Sequence, residues 1–138
     1  MKNNILITVE SRRHCENSDT DSNNFSCDGE ILFRDGKYYI KYTEPSENGG
    51  ASVVLKTDEK TVSMTRRGES SSHFIFESAR IFKSRYITPF GSFIMDIKTR
   101  SISIEVSGMS GKIDLGYDLT VNEDEISENN FCLIYKKK

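Results

Sequence analysis

Side chains able to bind a metal or act as nucleophiles are few in this chain. His14-Cys15 and Cys27 form the only sequence cluster of such atoms, with His73 and Cys132 far along the chain. A structural zinc site takes four ligands, usually in paired spacings such as Cys-x2-Cys, and no such pair occurs. A catalytic cysteine needs a lowered thiol pKa and a histidine brought beside it. His14 adjoins Cys15, but neighbours on a strand project to opposite faces. There is no Gly-x-Ser-x-Gly elbow and no glycine-rich phosphate loop. The expectation is no metal, no cofactor and no catalytic constellation, hence no enzyme. Cys27 and Cys132 then serve as small buried apolar residues, and Cys15 sits near a loop.

Carboxylates and cations are more abundant. Asp114 and Asp118 share one face of an expected strand, but that face is polar throughout and reads as wet. Glu123, Asp124, Glu125 and Glu128 form an acidic turn of the solvated kind. None is flanked by apolar residues that would raise a pKa for acid catalysis. Arg66, Arg67, Arg80, Lys83 and Arg85 fall close together in sequence. As a strand, this stretch puts Lys83 and Arg85 on one face. With Arg67 they make a patch that could meet an anionic head group at a barrel mouth. The plainer reading, which we favour, is a charged outer wall balanced by acidic residues.

The elements that must position these groups are strands. Ile5, Ile7 and Val9 alternate with Leu6, Thr8 and Glu10. Tyr38, Ile40 and Tyr42 alternate after Asp35-Gly36, a strong type I′ hairpin signal. Val53 to Leu55 and Val62 to Met64 flank Thr57 to Lys60. Ala79 to Thr88 reads as a strand, given the β-prone Tyr86-Ile87-Thr88. Phe93, Met95 and Ile97, then Ile102, Ile104 and Val106, then Ile113 to Val121, then Phe131, Leu133 and Tyr135 complete the period-two series. Lys98-Thr99-Arg100 and Gly108 to Gly111 read as hairpin connections. Asn17 to Asn24 reads as a polar loop, and Lys136 to Lys138 as a frayed tail.

This pattern predicts an all-β, single-domain chain spanning residues 1–138: about 8–10 antiparallel strands, mostly in meander order. Closure into a barrel removes the exposed edges most simply, with a two-sheet sandwich as the alternative. The net charge of −2 lacks the basic excess of a nucleic-acid binder. No window approaches the ~18 apolar residues of a membrane span. Three cysteines without regular spacing make no disulfide framework. With no export signal in view, the expected compartment is cytoplasmic.

One series of residues is familiar. Thr88-Pro89-Phe90-Gly91, followed by Met95 and Thr99, then Gly111 and Tyr117, resembles the YwiB-like family of small bacterial proteins. Arg67-Gly68, Phe76-Glu77 and Asn129-Asn130 fit the same series. The likeness covers most of the chain and is weakest before Glu30. The resemblance implies a lipocalin-like, or calycin-like, β-barrel. It implies no reaction, since none is assigned to the family. The family tends to carry a glycine shortly after the phenylalanine matching Phe76, where this chain reads Ser78-Ala79.

The side chains expected inside are Tyr38, Ile40, Tyr42, Phe74, Phe76, Phe93, Met95, Ile97, Ile113, Leu115, Tyr117 and Phe131. A barrel of about eight strands is either filled by side chains or open enough for one small ligand. Large aromatics favour filling, yet tyrosine hydroxyls inside need a partner. Aromatic walls with a few polar tips also describe an apolar pocket. The first expectation is a non-enzymatic binding protein for a small apolar or amphipathic ligand. Tyr42, Phe76, Phe93, Met95 and Tyr117 would line it, and Arg85 would add a polar contact. The alternative is a filled barrel acting as an interaction or structural module, monomeric or dimeric.

Overall fold

Alternation of apolar and polar side chains runs through nearly the whole chain, and each alternating run becomes a strand. The computed structural model describes residues 2–15, 20–123 and 125–138, with backbone alone at Glu125. It contains β1 (Lys2–Cys15), β2 (Asp21–Arg34), β3 (Lys37–Thr43), β4 (Ser52–Thr57), β5 (Thr61–Arg67), β6 (Ser72–Glu77), β7 (Ile81–Thr88), β8 (Gly91–Val106), β9 (Ser110–Val121) and β10 (Glu125–Lys137). A single 3-10 turn, Ser46–Asn48, interrupts the β3–β4 connection. No described helix is long and apolar enough to cross a membrane.

The strands lie in the order β6-β5-β4-β3-β2-β1-β10-β9-β8-β7, every ladder antiparallel. The sheet is therefore a ten-strand meander whose first and last strands pair along their length, from Ile5↔Lys137 to Cys15↔Ser127. Its two edges, β6 and β7, meet at a seam held by the isolated bridge Ser71↔Ile87 and by the Ser84 hydroxyl, which donates to His73 O at 2.6 Å. Ser71 N–H donates to Ile87 O at 2.8 Å and Ile87 N–H to Ser71 O at 3.0 Å. At the other end of the seam the β6–β7 turn is tied to β8. Ala79 N–H donates to Thr99 O, and Thr99 N–H to Arg80 O, each at 3.2 Å. The barrel is nearly closed.

Local chemistry sets the corners. Asp35 and Gly36 take φ of 53° and 78°, the paired positive values a type I′ turn requires. In the β7–β8 hairpin, Thr88 Oγ1 accepts from Phe90 N–H at 3.1 Å and donates to Gly91 O at 3.0 Å. That motif pins two strands in register. Ala79, where the resembling family favours glycine, keeps the left-handed backbone at φ 60° despite its Cβ.

Three local expectations are corrected. Lys98-Thr99-Arg100 is not a turn: β8 runs straight through it, with the register shifting between Thr99 and Ser101. A β-bulge carries the same short polar signature as a two-residue loop. Within Asn17 to Asn24, Asp21 to Asn24 extend β2 and pair with Glu10 to Arg13, while Asn17 to Asp19 lie outside the described residues. The C-terminal lysines are anchored as well. Lys138 N–H donates to Asn4 O at 3.0 Å, and its Nζ to Asp28 at 2.7 Å.

The core runs down the barrel axis. Ile5, Ile7, Ile40, Leu55, Val62, Phe76, Ile97, Ile113 and Leu133 are all at 0% exposure. Each such side chain contributes about 1.5–3 kcal/mol of burial. None of them borders open space, so the middle of the barrel is filled rather than hollow.

Candidate functional site

Strand direction divides the inward residues between two ends. At one end lie the N-terminus of β1, the C-terminus of β10 and the β2–β3, β4–β5 and β8–β9 turns. Tyr135 plugs this end at 1% exposure. Its hydroxyl donates to Ser107 O at 2.5 Å and accepts from Ser107 N–H at 3.1 Å. A Cβ on Gly111 would lie 2.6 Å from the Tyr135 ring and 2.7 Å from Glu105 O, so only glycine lets the ring seat. Buried Thr57 closes the β4–β5 turn beside it, donating to Asp58 O and Thr61 O.

The opposite end is built differently. Val62, Met64 and Arg66 share the inward face of β5, opposite Val53 and Leu55 of β4. Alternation thus aims the Arg66 guanidinium into the mouth and sends Arg67 outward. Arg66 Nη2 donates to Glu44 Oε1 at 2.8 Å. Glu44 is only 9% exposed and also receives the Ala51 N–H at 3.4 Å, which ties down the loop between β3 and β4. Tyr42 and Tyr117 stand near this pair. Desolvation is the main cause raising both phenols, Tyr117 to about 12 and Tyr42 further. Glu44 pushes Tyr42 up, and Arg66 partly offsets the rise in both. Neither hydroxyl has a hydrogen-bond partner among the described residues, and neither is among the fully buried orphan atoms. They border space that a polar atom can enter.

Aromatic packing lies behind them. The Phe76 ring centroid is 4.8 Å from Tyr117 and 6.2 Å from Phe74. Phe25 lies 6.1 Å from Tyr42. Thr99, paired with Tyr117 across β8 and β9, buries an Oγ1 with no partner. The mouth therefore combines an aromatic wall, two tyrosine hydroxyls without partners among the described residues and one ion pair, while the Thr99 hydroxyl lies buried beneath it.

Of the residues expected to line a site, Tyr42, Phe76, Met95 and Tyr117 point inward as part of the core or packed against it. Phe93 shares their face, opposite Tyr86 in the β7–β8 hairpin, but near the turn it stays half-buried and outside the core cluster. Arg85 also departs from expectation: Phe82, Ser84 and Tyr86 of β7 turn inward, so Arg85 stands on the outer wall and contributes nothing inside. Lys83 shares that wall, its Nζ 3.0 Å from Asp96 Oδ1 but off the hydrogen-bond direction. Arg66 and Glu44 are the residues that sequence reasoning missed. The signal was present in Val62-x-Met64-x-Arg66, whose period two carries the arginine inside.

The remaining chemical candidates separate. Among the described residues no group of three His, Cys, Asp or Glu side chains could hold a metal. His14 Nδ1 lies 3.0 Å from Thr20 Oγ1. Cys27 and Cys132 thiols are both raised, chiefly by desolvation, Cys132 to about 11, the reverse of what activates a nucleophile. Asp118 is paired with Arg100 at 2.8 Å and Asp114 with Lys112 at 3.5 Å on the outer face. Of the acidic turn, Asp124 and the Glu125 side chain lie outside the described residues.

Comparison with known proteins agrees with this architecture. A family model described as a domain of unknown function, DUF1934, matches residues 7–133. The chain is 23% identical over 112 residues to the uncharacterized β-barrel protein YwiB of Bacillus subtilis strain 168, covering 81% of this chain and 79% of that one. The crystal structure of the ywiB protein from Bacillus subtilis superposes with a TM-score of 0.87 at 21% identity, over 99% of this chain and 93% of that one. At that identity the likeness speaks for the fold.

Proposed function

The chain belongs to the DUF1934 family of β-barrel domains, to which no function is assigned, and from that premise we propose that the barrel is a non-enzymatic binding protein. Its occupant is one small amphipathic molecule, taken at the open mouth. One observation carries this reading: Tyr42 and Tyr117, at the open end, have hydroxyls without partners, whereas Tyr135, at the plugged end, makes two hydrogen bonds. Buried tyrosine hydroxyls ordinarily find partners. A ligand with a short apolar body against the partly buried rings of Tyr117 and Phe74 and a polar end toward Arg66 and the two hydroxyls would supply them. Its bulk would have to be small, because the middle of the barrel is filled.

The test uses the amphipathic dye 1-anilinonaphthalene-8-sulfonate with the folded protein. Saturable enhancement of its fluorescence is expected, weakened at least fivefold in Tyr117→Ala. No enhancement, or equal binding by the variant, would remove the mouth as a site. Native mass spectrometry of protein gently purified from cells would then show whether a natural adduct of defined mass leaves on denaturation.

A second reading has an observation of its own. Ile87, Phe90 and Ile94 are 53%, 94% and 48% exposed around the β7–β8 hairpin. On this reading the filled barrel is an interaction module that meets a second copy through that face. Light scattering at a multiple of 15.7 kDa, returned to a single mass by Phe90→Ser, would favour it.

A further inference from the structure

The cations between Arg66 and Arg85 fall into two groups. Arg66 pairs with Glu44, Arg80 with Glu77 and Lys83 with Asp96. Arg67 and Arg85 have no carboxylate partner among the described residues. Both stand on the outer wall, and both line one groove of about 330 Å³ that crosses the seam. Their strands are not hydrogen-bonded to each other: Arg67 ends β5, and Arg85 lies in β7 across the gap beside β6. The Ser71–Ile87 bridge fixes the two sides of the groove relative to one another. His73 lines it too, with Nδ1 held by Thr65 Oγ1 at 2.8 Å. Its Nε2 and the Ser71 hydroxyl have no partner among the described residues.

Two unneutralised guanidiniums facing one groove repel each other, and the chain is acidic overall, with a net charge of −2. A groove lined by one sign of charge concentrates anions within it. Guanidinium forks bind oxyanions in bidentate fashion, and a tetrahedral dianion can accept from two forks at once. The Ser71 hydroxyl and His73 add shorter contacts of the same kind. Ile87 supplies an apolar edge to the groove.

We propose that the seam groove is a phosphoryl-binding site, in which Arg67 and Arg85 grip the phosphate of a monoester whose organic part lies against Ile87. Its two gripping residues are distinct from the mouth, since Arg67 and Arg85 face outward and Tyr42 and Tyr117 inward, but the groove adjoins the mouth through Arg66, which lines it while paired with Glu44.

The test is calorimetric titration of the whole chain in low-salt buffer with inorganic phosphate and with phenyl phosphate. Sodium chloride at matched ionic strength is the control. A flotation assay with phosphatidylcholine vesicles, with and without phosphatidic acid, runs beside it. Both soluble phosphates are expected to bind where chloride does not, phenyl phosphate several-fold tighter through Ile87. Arg67→Ala/Arg85→Ala should weaken binding at least tenfold. Arg67→Lys/Arg85→Lys, which keeps charge but loses the forks, should weaken it about fivefold, and provides the answer if the alanine pair does not fold. Arg80→Ala, whose arginine is already paired with Glu77, should stay within twofold of the parent. Binding to phosphatidic acid vesicles alone, lost in the double variants, would support the site with a lipid head group as its source. Phosphate heats no larger than chloride without vesicle binding, or undiminished binding by the double variants, would overturn it.

Discussion

Tyr135 and Tyr117 both point into the same barrel, from neighbouring strands, and they end in opposite circumstances. At the plugged end the Tyr135 hydroxyl is gripped by both backbone groups of Ser107, and a glycine makes room for its ring. At the mouth the Tyr117 hydroxyl has only the field of Arg66 nearby. One end is organised for stability. The other leaves its tyrosine hydroxyls without a protein partner among the described residues, at positions that an entering polar atom can reach. The contrast shows how a single meander can be a solid at one end and a receptor at the other.

The widest test of that contrast is alkaline pH. Desolvation raises Tyr117 and Tyr135 alike to about 12 from an ordinary value of 10.0, so both ends should respond together. The folded state holds these protons more tightly than the unfolded chain does. Stability is therefore complete below pH 10 and falls as pH rises from there toward 12. Ultraviolet difference spectra followed beside circular dichroism will show tyrosinate appearing with unfolding. Tyr117 ionising near 10 in the folded state would mean that the mouth is far wetter than its packing implies.

Gly111→Ala attacks the plugged end alone. Its Cβ meets a ring and a backbone oxygen that cannot both retreat, so a loss of about 2–3 kcal/mol is expected by urea denaturation. Arg66→Met attacks the mouth. It strands the Glu44 carboxylate at low exposure, though Arg66 itself is 33% exposed. The loss should be about 1–2 kcal/mol, less than for a fully buried pair, and largely recovered in Glu44→Gln/Arg66→Met. The finest comparison removes one oxygen from each tyrosine. Tyr135→Phe should cost about 1 kcal/mol, whereas Tyr117→Phe should change stability by less than about 0.5 kcal/mol. Equal costs would erase the distinction between the ends.

Much of this was legible in the residues. Alternation alone assigned Tyr42, Phe76, Met95 and Tyr117 to the interior, and the Asp-Gly pair assigned Asp35-Gly36 to its turn. Arg66 was hidden by its neighbours: among five cations it read as one more surface charge, although Val62 and Met64 had already set its face. The bulge at Thr99 escaped because a polar triplet in a long strand has the length of a loop. The seam was not legible. Whether β6 pairs with β7 depends on how ten strands close around a core, and no local spacing records that. Closeness in sequence had already grouped Arg67 with Lys83 and Arg85, but the groove that Arg67 and Arg85 line without Lys83 could not be read from either strand's own pattern.

The seam and the chain ends divide the ring in a particular way. Where the polypeptide is continuous, between β6 and β7, the ladder is missing. Between β1 and β10, which lie farthest apart in the sequence, the ladder is complete and Lys138 N–H is bonded to Asn4 O. The pairing that spans the whole sequence is thus the contact of highest sequence separation in the barrel, and the one with the largest loop-closure entropy. A circular permutant that links the two ends and opens the chain at Ser78 to Arg80 would turn that pairing into a hairpin like the others. The same barrel would then assemble entirely from neighbours.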